Sequence, residues 1–259
     1  MLQIDHLGKT YGEGPTATHA IQDISFELQE REFVCVVGPS GGGKTTLLKC
    51  MSGLLSATRG EVRLNGRMIT EPPPEMALVF QEYSRSLLPW MTVRGNVALP
   101  LRHKKLDKPE RTRLVEESVE AVGLTRFIDR YPWELSGGMQ QRVAIARALA
   151  YQPEILLMDE PFASVDAQTR GDLEDLILEV RERFDMTILF VTHDIDESVY
   201  LSDRIVVLGP SPTSVQEVLD VPLGQPRDQV QTKERPEFAQ LRAHVWRSIK
   251  RPDEEPVNV

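Results

Sequence analysis

Apolar and polar positions along the chain follow two different periods, which together predict strands interleaved with helices. Ile21–Leu28 alternates apolar and polar residues, as a half-buried strand does, whereas Phe33–Val37 is wholly apolar, as a strand buried on both faces is. Further short apolar runs predict strands at Glu61–Asn65, Ala77–Phe80, Ile155–Met158, Thr187–Val191, Arg204–Leu208 and Ser214–Leu219. An apolar stripe at helical spacing predicts a helix over Glu110–Val122. Further helices are predicted from Lys44, over Gly137–Ala150, and at about Gln168–Phe184, Asp194–Ser202 and Pro236–Ile249. This order predicts an α/β domain with a parallel sheet and a helical insertion at about residues 92–150.

Composition restricts the class of protein. The chain has 259 residues, of which 41% are hydrophobic and 27% charged, a globular balance with enough length for a sizeable core. Two cysteines, Cys35 and Cys50, are too few for a disulfide framework and indicate a reducing compartment. The beginning, MLQIDHLGKTYGEG, lacks the features of a signal peptide. We also expect no membrane span, because no stretch approaches the roughly 18 apolar residues that a span needs.

The net charge is acidic and unevenly distributed. The 30 Lys and Arg residues against 39 Asp and Glu residues give a net charge of −9, which disfavours a protein that binds nucleic acid through net charge alone. Between Asp159 and Tyr200 there are 12 carboxylates and 3 basic residues, a difference of 9. Most of these carboxylates are interpreted as a solvated helix face, although the block begins at residues with a candidate chemical role.

A glycine-rich segment predicts a phosphate-binding loop. It matches G-x-x-x-x-G-K-[ST] directly after an apolar strand and before a helix, and comprises Gly38, Pro39, Ser40, Gly41, Gly42, Gly43, Lys44 and Thr45, with Thr46 next in the helix. Glycines let successive backbone amides curl around phosphate oxygens, and the helix adds its positive end. Lys44 supplies a full charge at the β- and γ-phosphates, and the hydroxyl of Thr45 can ligate Mg²⁺. The segment therefore predicts a nucleotide site for ATP and Mg²⁺.

Two other strands end in polar residues that suit the same chemistry. Ile155–Met158 leads into Asp159 and Glu160, and the carboxyl ends of parallel strands line the ligand crevice. Asp159 is a candidate Mg²⁺ ligand, and Glu160 is placed to orient or deprotonate an attacking water. His193 follows the strand TILFV-Thr192 and is a candidate donor to a γ-phosphate oxygen, the alternative being a structural or exposed histidine.

A further motif indicates the family. Leu135–Arg142, LSGGMQQR, resembles the LSGGQ signature of ABC ATPases and lies just upstream of the Asp-Glu strand. Ser136 and the amides of Gly137 and Gly138 precede a helix and form a second candidate anion site. The resemblance implies that this site receives the γ-phosphate of ATP held by a second copy, so that the ATPase subunits form a homodimer. Met139 stands where the family usually has glutamine, and we do not expect it to act as a ligand.

The resemblance also assigns roles outside these motifs. Gln81 matches the Q-loop glutamine, which approaches Mg²⁺ and the attacking water, and Asp166 ends a D-loop-like Ser-Val-Asp. Tyr11 matches the aromatic residue that stacks on adenine, although it is also typical of plain packing near a strand. The similarity covers roughly residues 2–225 and implies a RecA-like P-loop NTPase sheet with an antiparallel β subdomain and an inserted helical subdomain. Residues 226–259 are predicted to form a C-terminal helix and tail.

The segment after Gln81 indicates a branch of the family. Residues 82–101 include Leu87, Leu88 and Trp90, which predict a docking groove for a permease, the alternative being a buried loop. LLPWMTVRGNVALPL and the ending with PRDQ and ERPEFAQLRAHVWRSI resemble the nitrate/sulfonate/taurine importers. The resemblance implies uptake of a small anion or organosulfur compound, with two transmembrane permease subunits and an extracytoplasmic solute-binding protein. It also implies a peripheral position at the cytoplasmic face of the cell membrane.

A rival hypothesis is a soluble ABC ATPase that acts on nucleic acid or ribosomes. The feature in its favour is a basic run from Arg102 through Lys108 to Arg113. A solvated helix face or a neighbour of lipid headgroups explains the same run. Because the chain carries one cassette and a short helical insert, we expect no nucleic-acid partner.

Overall fold

The computed structural model describes residues 1–81 and 86–250, and the chain divides into two units. One unit comprises Met1–Pro73 and Leu189–Val259, and the other comprises Pro74–Ile188. In chain order the strands are β1 (Leu2–Tyr11), β2 (Thr18–Leu28), β3 (Phe33–Val37), β4 (Arg59–Leu64), β5 (Arg67–Met68), β6 (Met76–Val79), β7 (Ile155–Asp159), β8 (Thr187–Thr192), β9 (Arg204–Leu208) and β10 (Thr213–Asp220). The α-helices are α1 (Lys44–Met51), α2 (Val93–Ala98), α3 (Lys108–Ala121), α4 (Gly137–Ala150), α5 (Ala167–Phe184), α6 (Ile195–Leu201) and α7 (Pro236–Ile249).

The first unit is built on strands in the order β5-β4-β1-β2-β10-β9-β3. Antiparallel pairs join β5 to β4, β4 to β1 and β1 to β2, which is the antiparallel part that the sequence predicted. Parallel pairs join β2 to β10 and β3 to β9. All five residues of β3 are buried, because this strand lies inside the sheet and has apolar side chains on both faces.

Strand β1 was absent from the sequence prediction, and its irregular backbone explains why. Leu2 and Ile4 are buried in alternation, but His6 has a φ of +47° and the register shifts between Ile4 and Leu7. Such a bulge moves the next apolar residue, Leu7, onto the buried face out of phase with the first two. A strict two-residue period therefore fails over this strand.

The second unit combines two parallel strands with helices. β6 pairs with β7, with Val79 opposite Met158. Helix α3 begins at a cap in which Asp107 accepts a hydrogen bond from the amide of Glu110, and Gly123 follows its end with a φ of +71°. The stripe expected from the sequence, Leu114, Val115, Val119 and Val122, is buried, and Ser118 is buried with it.

Most predicted elements are present with bounds that differ by a few residues. Strands β3 and β9 and helices α4 and α7 have the predicted bounds, and β8 begins in the second unit and ends in the first. Across residues 1–81 and 86–250, no helix is both long and apolar enough to cross a bilayer. The predicted division at residues 225 and 226 stays a prediction.

Candidate nucleotide site

The glycine-rich loop follows β3 directly and leads into α1. Gly41 and Gly43 have φ values of +75° and +72°, where residues with a side chain are strained. A Cβ on Gly43 would lie 3.0 Å from the carbonyl oxygen of Ala20, so the nearby backbone of β2 also requires glycine at this position. The amide of Gly42 donates to the carbonyl oxygen of Pro39 at 3.0 Å and closes the turn. The strand–loop–helix arrangement predicted from the sequence is therefore present.

Lys44 is held within the loop that it ends. Its side chain is buried, and Nζ donates to the carbonyl oxygens of Gly38 and Pro39 at 3.1 Å each. These bonds place a full positive charge against the loop backbone at the first residue of α1, where unpaired amides and the helix dipole also favour an anion. Thr45 is exposed at the next position. The loop thus combines the charge and the donors that phosphate oxygens require.

Tyr11 lies next to the helix that follows the loop. Its hydroxyl is 3.3 Å from Oγ1 of Thr46, and Nζ of Lys9 lies 5.3 Å from the centre of its ring. Tyr11 is 42% exposed, which leaves room for another flat group against its ring. This placement fits the expected adenine contact of Tyr11, which stays a prediction.

Gln81 and Glu160 meet at the ends of the parallel strands β6 and β7. Nε2 of Gln81 donates to Oε2 of Glu160 at 3.4 Å. Asp159, the last residue of β7, is buried, whereas Glu160 is half-buried. Glu160 has a φ of +43°, a left-handed conformation that is costly for a residue with a side chain and that concentrates at functional sites. The structure therefore brings together three of the predicted polar residues at one edge of the sheet.

The signature segment forms the beginning of α4. Ser136 caps the helix by accepting a hydrogen bond from the amide of Met139 at 3.3 Å, and Ser136 and Gly137 are exposed. Gly138 is buried, and a Cβ there would lie 2.4 Å from Cγ2 of Thr169. The exposed helix start is available to an anion, whereas Gly138 permits close packing on Thr169.

Asp166 caps the N-terminus of helix α5. It accepts hydrogen bonds from the amide of Thr169 at 3.0 Å and from the hydroxyl of Thr169 at 2.7 Å. These bonds, led by the one from the backbone amide, lower the pKa of Asp166. Thr169 therefore contacts two of the predicted site residues, Gly138 and Asp166. Thr169 was not among the residues predicted for the site, although an Asp directly before a helical pattern is a typical N-cap that accepts from the amide three residues on.

His193 lies in the first unit, between β8 and α6. It is exposed, and the residues on either side hold its backbone. The hydroxyl of Thr192 accepts a hydrogen bond from the amide of Asp194 at 2.9 Å and donates to the buried Glu197 at 2.5 Å. Asp194 in turn caps α6 through the amides of Asp196 and Glu197. A firm backbone thus presents an exposed imidazole at the end of an apolar strand.

The donor set fits Mg²⁺ better than a transition metal. Across residues 1–81 and 86–250, no three His, Cys, Asp or Glu side chains form a metal-binding group. The three predicted ligands, Thr45, Gln81 and Asp159, all offer oxygen. Magnesium takes one or two protein oxygens together with phosphates and water, so these residues suit it.

Comparisons with known proteins agree with these motifs. The model of the ABC transporter family matches residues 21–163. The chain is 44% identical over 248 residues to the nitrate import ATP-binding protein NrtD of Synechococcus elongatus, covering 94% of this chain and 89% of the relative. It is 40% identical over 247 residues to the bicarbonate transport ATP-binding protein CmpD of Synechocystis, covering 94% and 87%.

A solved structure extends the similarity to the fold. A dimeric bacterial ABC transporter cassette superimposes with a TM-score of 0.74 at 32% identity, covering 85% of this chain and 99% of the cassette. The α/β fold of the P-loop ABC ATPases, predicted from the motifs, is thereby confirmed. The chain belongs to the ABC transporter family, as one of its ATP-binding and ATP-hydrolysing subunits.

Proposed function

We propose that this subunit energises the import of a small oxyanion, of the nitrate or bicarbonate kind, through separate permease subunits. The proposal is supported by relatives whose names refer to nitrate import and to bicarbonate transport. Neither name refers to a sulfonate or to taurine, so the organosulfur part of the sequence-based expectation is left without support. An extracytoplasmic binding protein and a position at the cytoplasmic face of the membrane belong to the same proposal.

In this proposal the triphosphate of ATP lies against the loop from Gly38 to Gly43 and the start of α1. The buried ammonium of Lys44 supplies the counter-charge, and the loop amides supply donors. Tyr11 offers its exposed ring to the adenine. Thr45, Asp159 and Gln81 hold Mg²⁺, which neutralises charge on the phosphate oxygens when it is bound.

The contact between Gln81 and Glu160 carries the hydrolytic part of the proposal. Glu160 orients the attacking water and takes its proton, while Gln81, whose amide lies 3.4 Å from that carboxylate, orients the same water. The left-handed backbone at Glu160 is the kind of local strain found where a side chain is fixed for chemistry. His193 donates to the γ-phosphate and so distinguishes ATP from ADP.

A second copy completes the site in this proposal. The exposed start of α4, from Ser136 to Gly138, offers amides and a helix dipole to the γ-phosphate of ATP bound by the partner. Asp166, the cap of α5, lies near this helix start because Thr169 contacts both, and in the proposal it also faces the partner. The dimeric state of the solved cassette supports this arrangement.

Exposed aromatic residues on the second unit support docking on a permease. Trp90 is 68% exposed and Trp133 is 64% exposed, and the rings of Tyr131 and Trp133 stack with centroids 4.5 Å apart. The amide of Val93 donates to the carbonyl of Arg130 at 2.8 Å, which holds the two aromatic segments side by side. We name Trp90, Tyr131 and Trp133 the aromatic patch. Exposed aromatic side chains, such as the stacked pair of Tyr131 and Trp133 and the single Trp90 near the adjacent backbone, are enriched at protein interfaces.

The predicted docking groove needs one correction. Leu87 is 3% exposed and belongs to the core of the second unit, so it does not line a surface. Leu88 is half-buried. Residues 82–85, the first part of the predicted groove, lie outside the described residues. Of the three side chains expected in the groove, only Trp90 is a prominent surface residue.

The basic run does not favour the nucleic-acid alternative. Nζ of Lys104 donates to the carbonyl oxygen of Tyr151 and lies 4.1 Å from the centre of its ring. Burial lowers the pKa of Lys104, and Arg113 forms an ion pair with Glu117 at 2.9 Å. The interpretation as a solvated face is therefore wrong for Lys104, and the run offers fewer free cations to phosphates than its sequence suggests.

The hydrolytic role is tested with Glu160→Gln. We expect the variant to bind ATP as the wild type does, while steady-state hydrolysis falls by a factor of about 10² to 10⁴, the usual contribution of a general base. Glu179→Gln, an exposed carboxylate on α5, is the matched control with the same charge change. Hydrolysis by Glu160→Gln at the rate of the control would exclude this role.

The transport role is tested in vesicles that carry the cognate permease and binding protein. We expect ATP inside the vesicles to drive accumulation of nitrate or bicarbonate only when the wild-type subunit is present. The double variant Trp90→Ala, Trp133→Ala should lose uptake while retaining hydrolysis in solution, because the aromatic patch lies outside the nucleotide loop. Equal uptake with and without the subunit would refute the proposal.

A further inference from the structure

Thr213, far along the chain from the glycine-rich loop, contacts the loop backbone. It is the first residue of β10 and is fully buried. Its hydroxyl donates to the carbonyl oxygen of Gly42 at 2.6 Å, across 171 positions of sequence. Because the hydroxyl has no access to water, this short bond is not exchangeable for a solvent contact.

The bond fixes the orientation of one peptide group. The carbonyl of Gly42 and the amide of Gly43 belong to the same planar trans peptide, in which the two groups point in opposite directions. With the carbonyl held towards Thr213, the amide of Gly43 is directed to the other side of the loop. Gly42 and Gly43, the two residues that this peptide joins, restrict the backbone little, so an external anchor decides its orientation.

The end of β9 and the residue that follows it confine the glycine-rich loop at two other points. A Cβ on Gly38 would lie 3.0 Å from Leu208, at the end of β9, and a Cβ on Gly42 would lie 3.4 Å from the carbonyl of Gly209. Thr213 itself pairs with Ile21 of β2, so it belongs to the sheet and not to a free loop. The anchor is therefore part of a rigid support behind the glycines.

We infer that Thr213 is a positioning residue for the nucleotide site: its hydroxyl sets the peptide between Gly42 and Gly43 so that the amide of Gly43 meets a phosphate oxygen. The inference rests on the proposed role of the loop in binding the phosphates of ATP. It predicts that Thr213 affects binding of the phosphates and leaves the hydrolytic residues Gln81 and Glu160 unaffected.

The test compares Thr213→Val, which removes the hydroxyl and keeps the shape, with Thr213→Ser, which keeps the hydroxyl. We expect Thr213→Val to weaken binding of ATP and ADP about tenfold and to raise KM by a similar factor with little change in kcat. Thr213→Ser should bind within about twofold of the wild type. Thr232→Val is the matched control, because Thr232 is also a buried threonine whose hydroxyl bonds a backbone amide, that of Asp228.

Three outcomes overturn the inference. Folded Thr213→Val that binds ATP like the wild type shows that the hydroxyl does not matter, and Thr213→Ser that is as weak as Thr213→Val assigns the effect to the methyl group. Weakening by Thr232→Val to the same extent would reveal a general loss of stability. If Thr213→Val does not fold, Thr213→Ala takes its place in the same comparison. Failure of the wild type to bind ATP would instead contradict the proposed function.

Discussion

Replacing Gly138 by alanine tests the packing between the signature segment and α5. The added Cβ would lie 2.4 Å from Cγ2 of Thr169, well inside van der Waals contact. Thr169 does not turn away freely, because its hydroxyl donates to Asp166 at 2.7 Å. The substitution therefore forces either a backbone shift or the loss of that hydrogen bond.

Two opposing effects decide the size of the change. In a helix, alanine is favoured over glycine by up to about 1 kcal/mol, and less in the first turn. Overpacking a well-filled site costs about 1–3 kcal/mol. Since the overlap at Gly138 is severe, we expect overpacking to dominate and the free energy of unfolding to fall by about 1 kcal/mol.

Urea unfolding of the nucleotide-free protein measures this change in the free energy of unfolding. Repeating the substitution in a protein that also carries Thr169→Ser tests its cause. Thr169→Ser removes the methyl group and keeps the hydroxyl that bonds Asp166. In that background, Gly138→Ala should be neutral or stabilising by a few tenths of a kcal/mol, so the two positions should couple by about 1 kcal/mol. An equal loss of stability in both backgrounds would refute the proposed overlap.

Three further predictions concern other parts of the chain. The side-chain amide of Asn96 is fully buried and forms hydrogen bonds with the backbone of Leu88, Met91 and Thr92. Asn96→Ala should therefore lower the free energy of unfolding in urea by about 2–3 kcal/mol and change the fluorescence of Trp90. Unchanged values of both would contradict this role. Asp194→Ala should lower the free energy of unfolding by about 1 kcal/mol in the same assay, because α6 loses its cap. Asp194→Asn should retain most of the wild-type stability, because asparagine also caps helices. The hydrogen bond from His244 lowers the pKa of Glu217. Ionised Glu217 therefore stabilises the folded protein at pH values above the ordinary carboxyl pKa, and this contribution is lost as the pH falls through the lowered pKa. Between about pH 5 and about pH 3 the melting temperature of the wild type should therefore fall more than that of Glu217→Gln, and parallel curves would argue against the linkage.

Elements with strong local patterns were predictable from the sequence. β3 is a continuous apolar run followed by a glycine-rich turn, and the structure has the same bounds for it. Gln81 and Glu160 were each placed at a strand end, and parallel pairing of β6 with β7 brings them together. Local periodicity suffices in these cases because the groups lie close in sequence to the element that positions them.

Contacts between distant parts of the chain were not predictable in this way. Thr213 follows a proline-rich segment, and nothing in its neighbourhood indicates a bond to Gly42. The close approach of Thr169 to Gly138 depends on how two helices pack, which a single sequence does not encode locally. Likewise, Leu87 and Trp90 share apolar character, and only the folded backbone separates a core residue from a surface residue.

The left-handed backbone at Glu160 sets folding and chemistry against each other at one position. Glycine and asparagine adopt a φ of +43° more readily than glutamate, so either replacement should make the protein more resistant to heat. Under the proposed function, the same replacements abolish hydrolysis. Stability-based selection from a random library would therefore enrich inactive variants at residue 160, and a consensus drawn from such a selection would discard the residue on which turnover depends.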